Sequence, residues 1–181
     1  MKIRLIKTTE RALNAFLEKI SRRKAESGGA VDKKVAEIVR AVKLRGDRGL
    51  FEYTRRYDGV GLTRRTVEVS GREMDEAVKK TPARNLRTLR RAAKRIAAFH
   101  RRQMEHSWGY RDPIGMFLGQ RITPLERVGV YVPGGKASYP STVLMNTIPA
   151  KVAGVGQIVM ASPIGENSAM ILAAARIAGV D

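Results

Sequence analysis

Apolar residues three and four positions apart dominate the first hundred positions, and this spacing predicts a run of amphipathic helices. Leu13, Phe16, Leu17 and Ile20 fall on one face of a short helix in "ERALNAFLEKI". The polar, glycine-containing stretch "SRRKAESGGA" that follows predicts a linker or loop. From Asp32 onward, Val35, Ile38, Val39 and Val42 repeat at helical spacing as far as Gly46. Asp47 then stands where it can cap a second helix, ending at Asp58-Gly59. "TVEVS" alternates as a strand does, and Ser70-Gly71-Arg72-Glu73 carries the capping-box pattern of another helix. After Pro82, the stripe Leu86, Leu89, Ala93, Ile96 and Phe99 marks the clearest helix of the chain.

The texture then changes. "WGYRDPIGMFLGQRITP" predicts a hairpin turning at Asp112-Pro113-Ile114-Gly115. "RVGVYV" and "QIVMAS" are short continuous apolar runs, the pattern of strands covered on both faces. Between them, Ser141 can cap a helix through "TVLMNTIPAKVAG", with a kink expected near Pro149. Asn167 or Ser168 can cap a last helix that stops at Gly179. Strand, helix, strand, helix predicts a crossover unit with parallel strands. The fold class is therefore α/β: a helical N-terminal region followed by an incomplete Rossmann-like parallel βαβ unit. A third parallel strand would be expected next, so the C-terminal unit reads as the first part of a larger domain.

Composition sharpens this division. Among 181 residues, 35 Lys and Arg face 17 Asp and Glu, a formal net charge of +18. Residues 121–181 contribute only Arg121, Arg127, Lys136, Lys151 and Arg176, against Glu126, Glu166 and Asp181, so nearly all the excess lies earlier. Two compositions imply two units, a basic helical region over residues 1–110 and a nucleotide-binding unit over residues 111–181. No apolar run approaches the ~20 residues of a membrane span. The first residues lack a secretory signal, and the absence of cysteine fits a reduced, cytoplasmic setting.

The corner after Val130, "YVPGGKASYPS", is the candidate site. Gly134 and Gly135 allow close backbone approach just before a helix N-terminus, where anions settle beyond the ends of parallel strands. Lys136, Ser138 and Ser141 add donors, and Tyr131 can stack on or hydrogen-bond a nucleotide. The stretch fits neither the dinucleotide fingerprint nor the Walker loop, so spacing alone favours a plain strand-to-helix turn over a binding site. Zinc needs three or four ligands held together, whereas the chain has only His100 and His106 and no cysteine. Neither a carboxylate pair nor a Ser-His-Asp set emerges, so no catalytic and no metal residue is assigned.

The run "RVGVYVPGGKASYPSTVLMNTIPAKVAGVGQIVMASP", Arg127 to Pro163, resembles the histidinol dehydrogenase family. The likeness continues in "VRAVKLRGDRGLFEYTRRYDG", in "RAAKRIAAFHRRQ" and in Trp108 ahead of "PLERVGVYVPGG". It is more distantly similar to the first nucleotide-binding unit of aldehyde dehydrogenases. The resemblance implies an NAD contact at Tyr131, with Pro133, Gly134 and Gly135 shaping the loop. It also implies an enzyme that oxidises L-histidinol to L-histidine with NAD and zinc, and that acts as a homodimer. The zinc ligands and the Glu-His pair of that family would lie beyond Asp181, so the chain is expected to be an N-terminal portion without activity alone, completed by a C-terminal half.

One feature stands outside this picture. Between Ala77 and Met104 there are ten basic residues and no acid. A solvated outer face accounts for such a run, as does a face that meets acidic residues of an absent chain. Two rival functions therefore stand beside the enzyme fragment: a non-catalytic nucleotide-binding relict and a basic nucleic-acid-binding module.

Overall fold

The computed structural model describes residues 10–134, 138–163 and 168–181; Gly135, Lys136 and Asn167 lie outside these, as does the side chain of Ile20. Two compact units result, Met1–Arg64 and Arg65–Asp181. The packing break at Arg64–Arg65 and the compositional break near residue 110 fall at different places.

The first unit is a helical pair, α1 (Glu10–Arg45) and α2 (Asp47–Asp58), turning at Gly46 with φ 56°. Contrary to the sequence expectation, residues 21–30 form no loop: α1 runs through them. The reason is local. Ser, Arg, Lys, Ala and Glu all tolerate a helix, and two glycines cost only about 1 kcal/mol each. Asp47 is likewise the first residue of α2 rather than its cap, and Gly46 stands at the cap without a side-chain bond. There Asp47 still places negative charge in the first turn, which the helix dipole favours. Gly49 and Tyr53 are the buried residues of α2. The Tyr53 hydroxyl donates to Glu37 Oε1 at 2.8 Å, tying α2 to α1. Gly49 permits the close approach: a Cβ there would lie 2.8 Å from the Ala41 carbonyl oxygen.

The second unit contains α3 (Gly71–Lys80), α4 (Ala83–Arg101), the hairpin β1 (Trp108–Arg111) and β2 (Phe117–Gln120), then β3 (Arg127–Tyr131), α5 (Pro140–Ala153), β4 (Gln157–Ala161) and α6 (Ser168–Ala178). The expected strand at residues 66–70 is absent, because alternation makes a strand only where a partner strand is available; Val69 packs on the core from an irregular segment instead. Ser70 forms the capping box: its backbone N–H donates to Glu73 Oε2 at 2.8 Å and its Oγ accepts from Glu73 N at 3.3 Å. Accepting the Ser70 backbone N–H holds the Glu73 carboxyl below its ordinary range.

The hairpin turns where the sequence placed it. Asp112 Oδ1 accepts from the backbone N–H groups of Ile114 and Met116, at 3.0 and 2.8 Å. Strands β3 and β4 are parallel, with Arg127 opposite Gln157 and Tyr131 opposite Ala161. Helix α5 begins with Pro140 at its first position, behind Tyr139 as the cap residue; Ser141 lies inside the helix and is not its cap. Proline suits that position because the missing N–H would find no partner there in any case. Pro149 lies inside α5, which continues to Ala153.

The core joins the helices. Leu89 from α4, Val143, Leu144 and Ile148 from α5, and Ile171, Ala174, Ala175 and Ala178 from α6 form one buried cluster with Met74 and Val132. The small side chains of α6 let α3 and α5 pack close to it. Arg176 of α6 donates from Nε to Asp75 Oδ1 of α3 at 2.8 Å. Phe99, expected on the apolar stripe of α4, is exposed. Among the described residues no helix is long and apolar enough to cross a membrane.

Strand β4 is held on its second edge by Asp181. Its backbone N–H donates to the Ile158 carbonyl at 3.1 Å, and Ile158 N–H donates to Asp181 Oδ2 at 2.8 Å. Lys151 Nζ donates to the same oxygen at 3.0 Å. The Ile158 N–H foremost, then Lys151, hold the Asp181 carboxyl below its ordinary value of 3.8.

Two outcomes follow from this packing. Gly49→Ala puts its methyl against backbone that cannot swing aside, so urea unfolding should show a loss of about 1–3 kcal/mol. Gly71→Ala, where a Cβ meets nothing within 4 Å, should change stability by less than about 0.5 kcal/mol. For Asp181 the depressed folded pKa means that its contribution is present above the unfolded value and lost as pH falls through the folded one. Asp181→Asn should therefore lower the unfolding midpoint at neutral pH and flatten its decline towards about pH 3. An unchanged acid profile would show that the carboxylate carries none of it.

Candidate functional site

The carboxyl ends of β3 and β4 lie side by side, and the candidate loop leaves from there. Tyr131 ends β3 on the outward face of the sheet, 65% exposed, in line with Gly129 and beside Val159 and Ala161 of β4. The next residue, Val132, is fully buried, and its N–H donates to the Ala161 carbonyl at 2.9 Å. The chain is thus pinned at the moment it leaves the sheet, with Tyr131 presented to solvent and Val132 locked below it.

Pro133 is exposed and Gly134 half-buried. A Cβ on Gly134 would lie 2.9 Å from the Pro163 carbonyl oxygen, so the loop after β3 touches the loop after β4 through bare backbone. No side chain caps the N-terminus of α5; Thr142 and Val143 donate to the Tyr139 carbonyl at 3.1 and 3.4 Å. Two hydroxyls near these loops, Ser138 Oγ and Ser162 Oγ, are buried with no hydrogen-bond partner among the described residues. An unpaired buried hydroxyl costs about 1–3 kcal/mol, and the segments next to these two serines, residues 135–137 and 164–167, lie outside the described residues. Thr147 Oγ1, inside α5, is the third of this kind.

Of the residues expected at the site, Tyr131, Pro133 and Gly134 come together at the strand end; Gly135 and Lys136 lie outside the described residues. Ser162 and Pro163 are additions that the sequence reading did not assign. Their signal was a matched pair of prolines: Pro133 and Pro163 each stand two residues past the last residue of a strand, in the same register.

Dinucleotides bind where backbone can approach beyond parallel strand ends and where N–H and O–H groups meet phosphate oxygens. The bare Gly134–Pro163 contact, the unpaired serines and the exposed Tyr131 ring fit such a group. Zinc does not fit the described residues. His100 sits in the last turn of α4 with its ring edge-on to Phe99, centroids 5.3 Å apart, and His106 is exposed beyond that helix. Among the described residues no three His, Cys, Asp or Glu side chains gather as metal ligands would.

Comparison with known proteins identifies the family. The family model described as histidinol dehydrogenase matches residues 21–181. The histidinol dehydrogenase of Syntrophotalea carbinolica is 49% identical over 181 residues, covering 99% of this chain and 42% of its own. That of Aromatoleum aromaticum is 47% identical over 172 residues, covering 92% of this chain and 39% of its own. The crystal structure of histidinol dehydrogenase from Elizabethkingia anophelis superposes with a TM-score of 0.75 at 30% identity, over 83% of this chain and 35% of that one. The chain thus spans about two fifths of the length of the curated relatives it matches, and it corresponds to their N-terminal part.

Proposed function

Because the chain belongs to the histidinol dehydrogenase family, we propose that its C-terminal unit supplies part of the NAD platform of an enzyme oxidising L-histidinol to L-histidine. The observation that carries this reading is the strand end itself: an exposed Tyr131 beside the bare-backbone contact of Gly134 with Pro163. Tyr131 would lie against the nucleotide, and Pro133, Gly134 and Gly135 would let the backbone follow its phosphates. Ser138 and Ser162 would donate to phosphate or ribose oxygens, which gives their unpaired hydroxyls a purpose.

Bound NAD supplies hydride acceptance; the residues of this chain bind and orient. The zinc ligands and the proton-transferring residues belong, on this reading, to the part of the family sequence that the chain does not span. The partner is then the remaining polypeptide of such an enzyme, in a homodimeric assembly, and the setting is cytoplasmic.

Expression of the chain alone in a histidine auxotroph should give no growth. Expression together with the remaining C-terminal portion of the Syntrophotalea carbinolica relative should restore it; growth with the chain alone would refute the division of roles. In the reconstituted assembly, Tyr131→Ala should weaken NAD binding about threefold to tenfold, by loss of a stacking surface. Because Tyr131 is exposed, urea unfolding should not change, and equal NAD affinity in the variant would remove Tyr131 from the site.

A further inference from the structure

Helices α4, α5 and α6 leave an open groove of about 620 Å³ on the second unit, lined by residues that the cofactor reading does not use. Its floor is apolar: Ala97 of α4, Ile148 and Val152 of α5, and Ile177 of α6. The groove exists because α4 places alanines on the side facing α5, where larger side chains would close the gap. Its rim is cationic. Lys94 and Arg101 are exposed, and neither has an ion-pair partner among the described residues. Lys151, the third cation at the groove, is neutralised by Asp181 at 3.0 Å.

We propose that this groove docks an acidic amphipathic helix of a partner polypeptide. The floor gains from an apolar stripe, and the rim gains from carboxylates. Lys94 and Arg101 stand seven residues apart on one edge of α4, about 10 Å along the helix. Carboxylates two turns apart on a facing helix meet that spacing. Charge complementarity decides among occupants. A second copy of this chain, at +18, brings further positive charge to a positive rim. Nucleic acid would answer the cations but has no use for a floor of alanine, valine and isoleucine, and the groove offers no aromatic ring for a base to stack on. The inference is independent of NAD.

The test is fluorescence anisotropy with the full chain and a labelled peptide of roughly 18 residues, long enough for four to five helical turns. The peptide carries Leu along one face and Glu two turns apart on its flank; a scrambled peptide of equal composition controls for net charge. The amphipathic peptide should bind at least about tenfold more tightly than the scrambled one. The double variant Lys94→Glu/Arg101→Glu should weaken it about tenfold, whereas Arg84→Glu/Arg87→Glu, an equal charge change elsewhere on α4, should cost less than about threefold. All four side chains are exposed, and circular dichroism should show both variants folded. Val152→Asp, which spoils the floor without touching the rim, should also weaken the complex. Equal binding of the scrambled peptide, equal loss in both charge-reversed variants, or displacement by single-stranded poly(U) at matching affinity would each overturn the proposal.

Discussion

The parallel register that sets Arg127 opposite Gln157 and Tyr131 opposite Ala161 joins residues 30 apart in sequence. Parallel strands cannot be joined by a tight turn, so the chain must travel back along the sheet before β4 can start. The 14 residues of α5 provide that return: a helix of this length runs about 21 Å, against about 17 Å for a five-residue strand. The helix closes at Gly154, where Val155 N–H bonds the Ala150 carbonyl at 3.1 Å and the Val155 side chain is buried. Once α5 has this length and this end, both strands must finish at the same level. That common finish brings the two following loops together and puts Gly134 against Pro163. Any ligand chemistry at the strand ends depends on this register, because a slip by one residue would turn Tyr131 inward and Val132 out.

The charge of the chain poses a different physical question. The ion pairs of the second unit tie α6 to α3, close within α3, or hold Asp181; α4 has none among the described residues. Its Arg87, Arg91 and Arg95, and likewise Arg90 and Lys94, repeat at four-residue spacing, where like charges repel by a few tenths of a kcal/mol each. Helix α4 is therefore held by its apolar contacts with α5 and α6, against the preference of its own surface. This surface works against folding and borders the apolar groove proposed above to dock an acidic helix.

Features with a local chemical cause were legible from sequence. Ser70 and Glu73 cap each other within one turn, Asp112 organises a turn of four residues, and the Leu89 stripe needs only helical periodicity. The same holds for the two apolar strands and for the position, though not the role, of Tyr131, Pro133 and Gly134 at the end of β3. Features that depend on context were not legible. The polar segment 21–30 looks like a linker only if two glycines outweigh eight helix-compatible neighbours. "TVEVS" alternates correctly but has no strand beside it. Ser141 is a good cap residue displaced by a proline better suited to begin the helix. Ser162 and Pro163 join the candidate site only because a parallel partner strand places them beside Gly134, a relation that no local window contains.

Among the described residues of the second unit, the sheet has cover on one face alone. Val128, Val130, Ile158 and Met160 turn inward, whereas Gly129, Tyr131, Val159 and Ala161 form an outward strip, with Val159 47% exposed. A two-stranded parallel pair of this kind adds little stability, so the unit is held by the helix cluster on the inner face. The outward strip and the candidate nucleotide site share Tyr131. Any group that covers the strip removes apolar surface from water at about 25 cal/mol per Å², and at the same time changes what Tyr131 can reach. Cover of the sheet and access to the candidate site are therefore physically coupled through Tyr131.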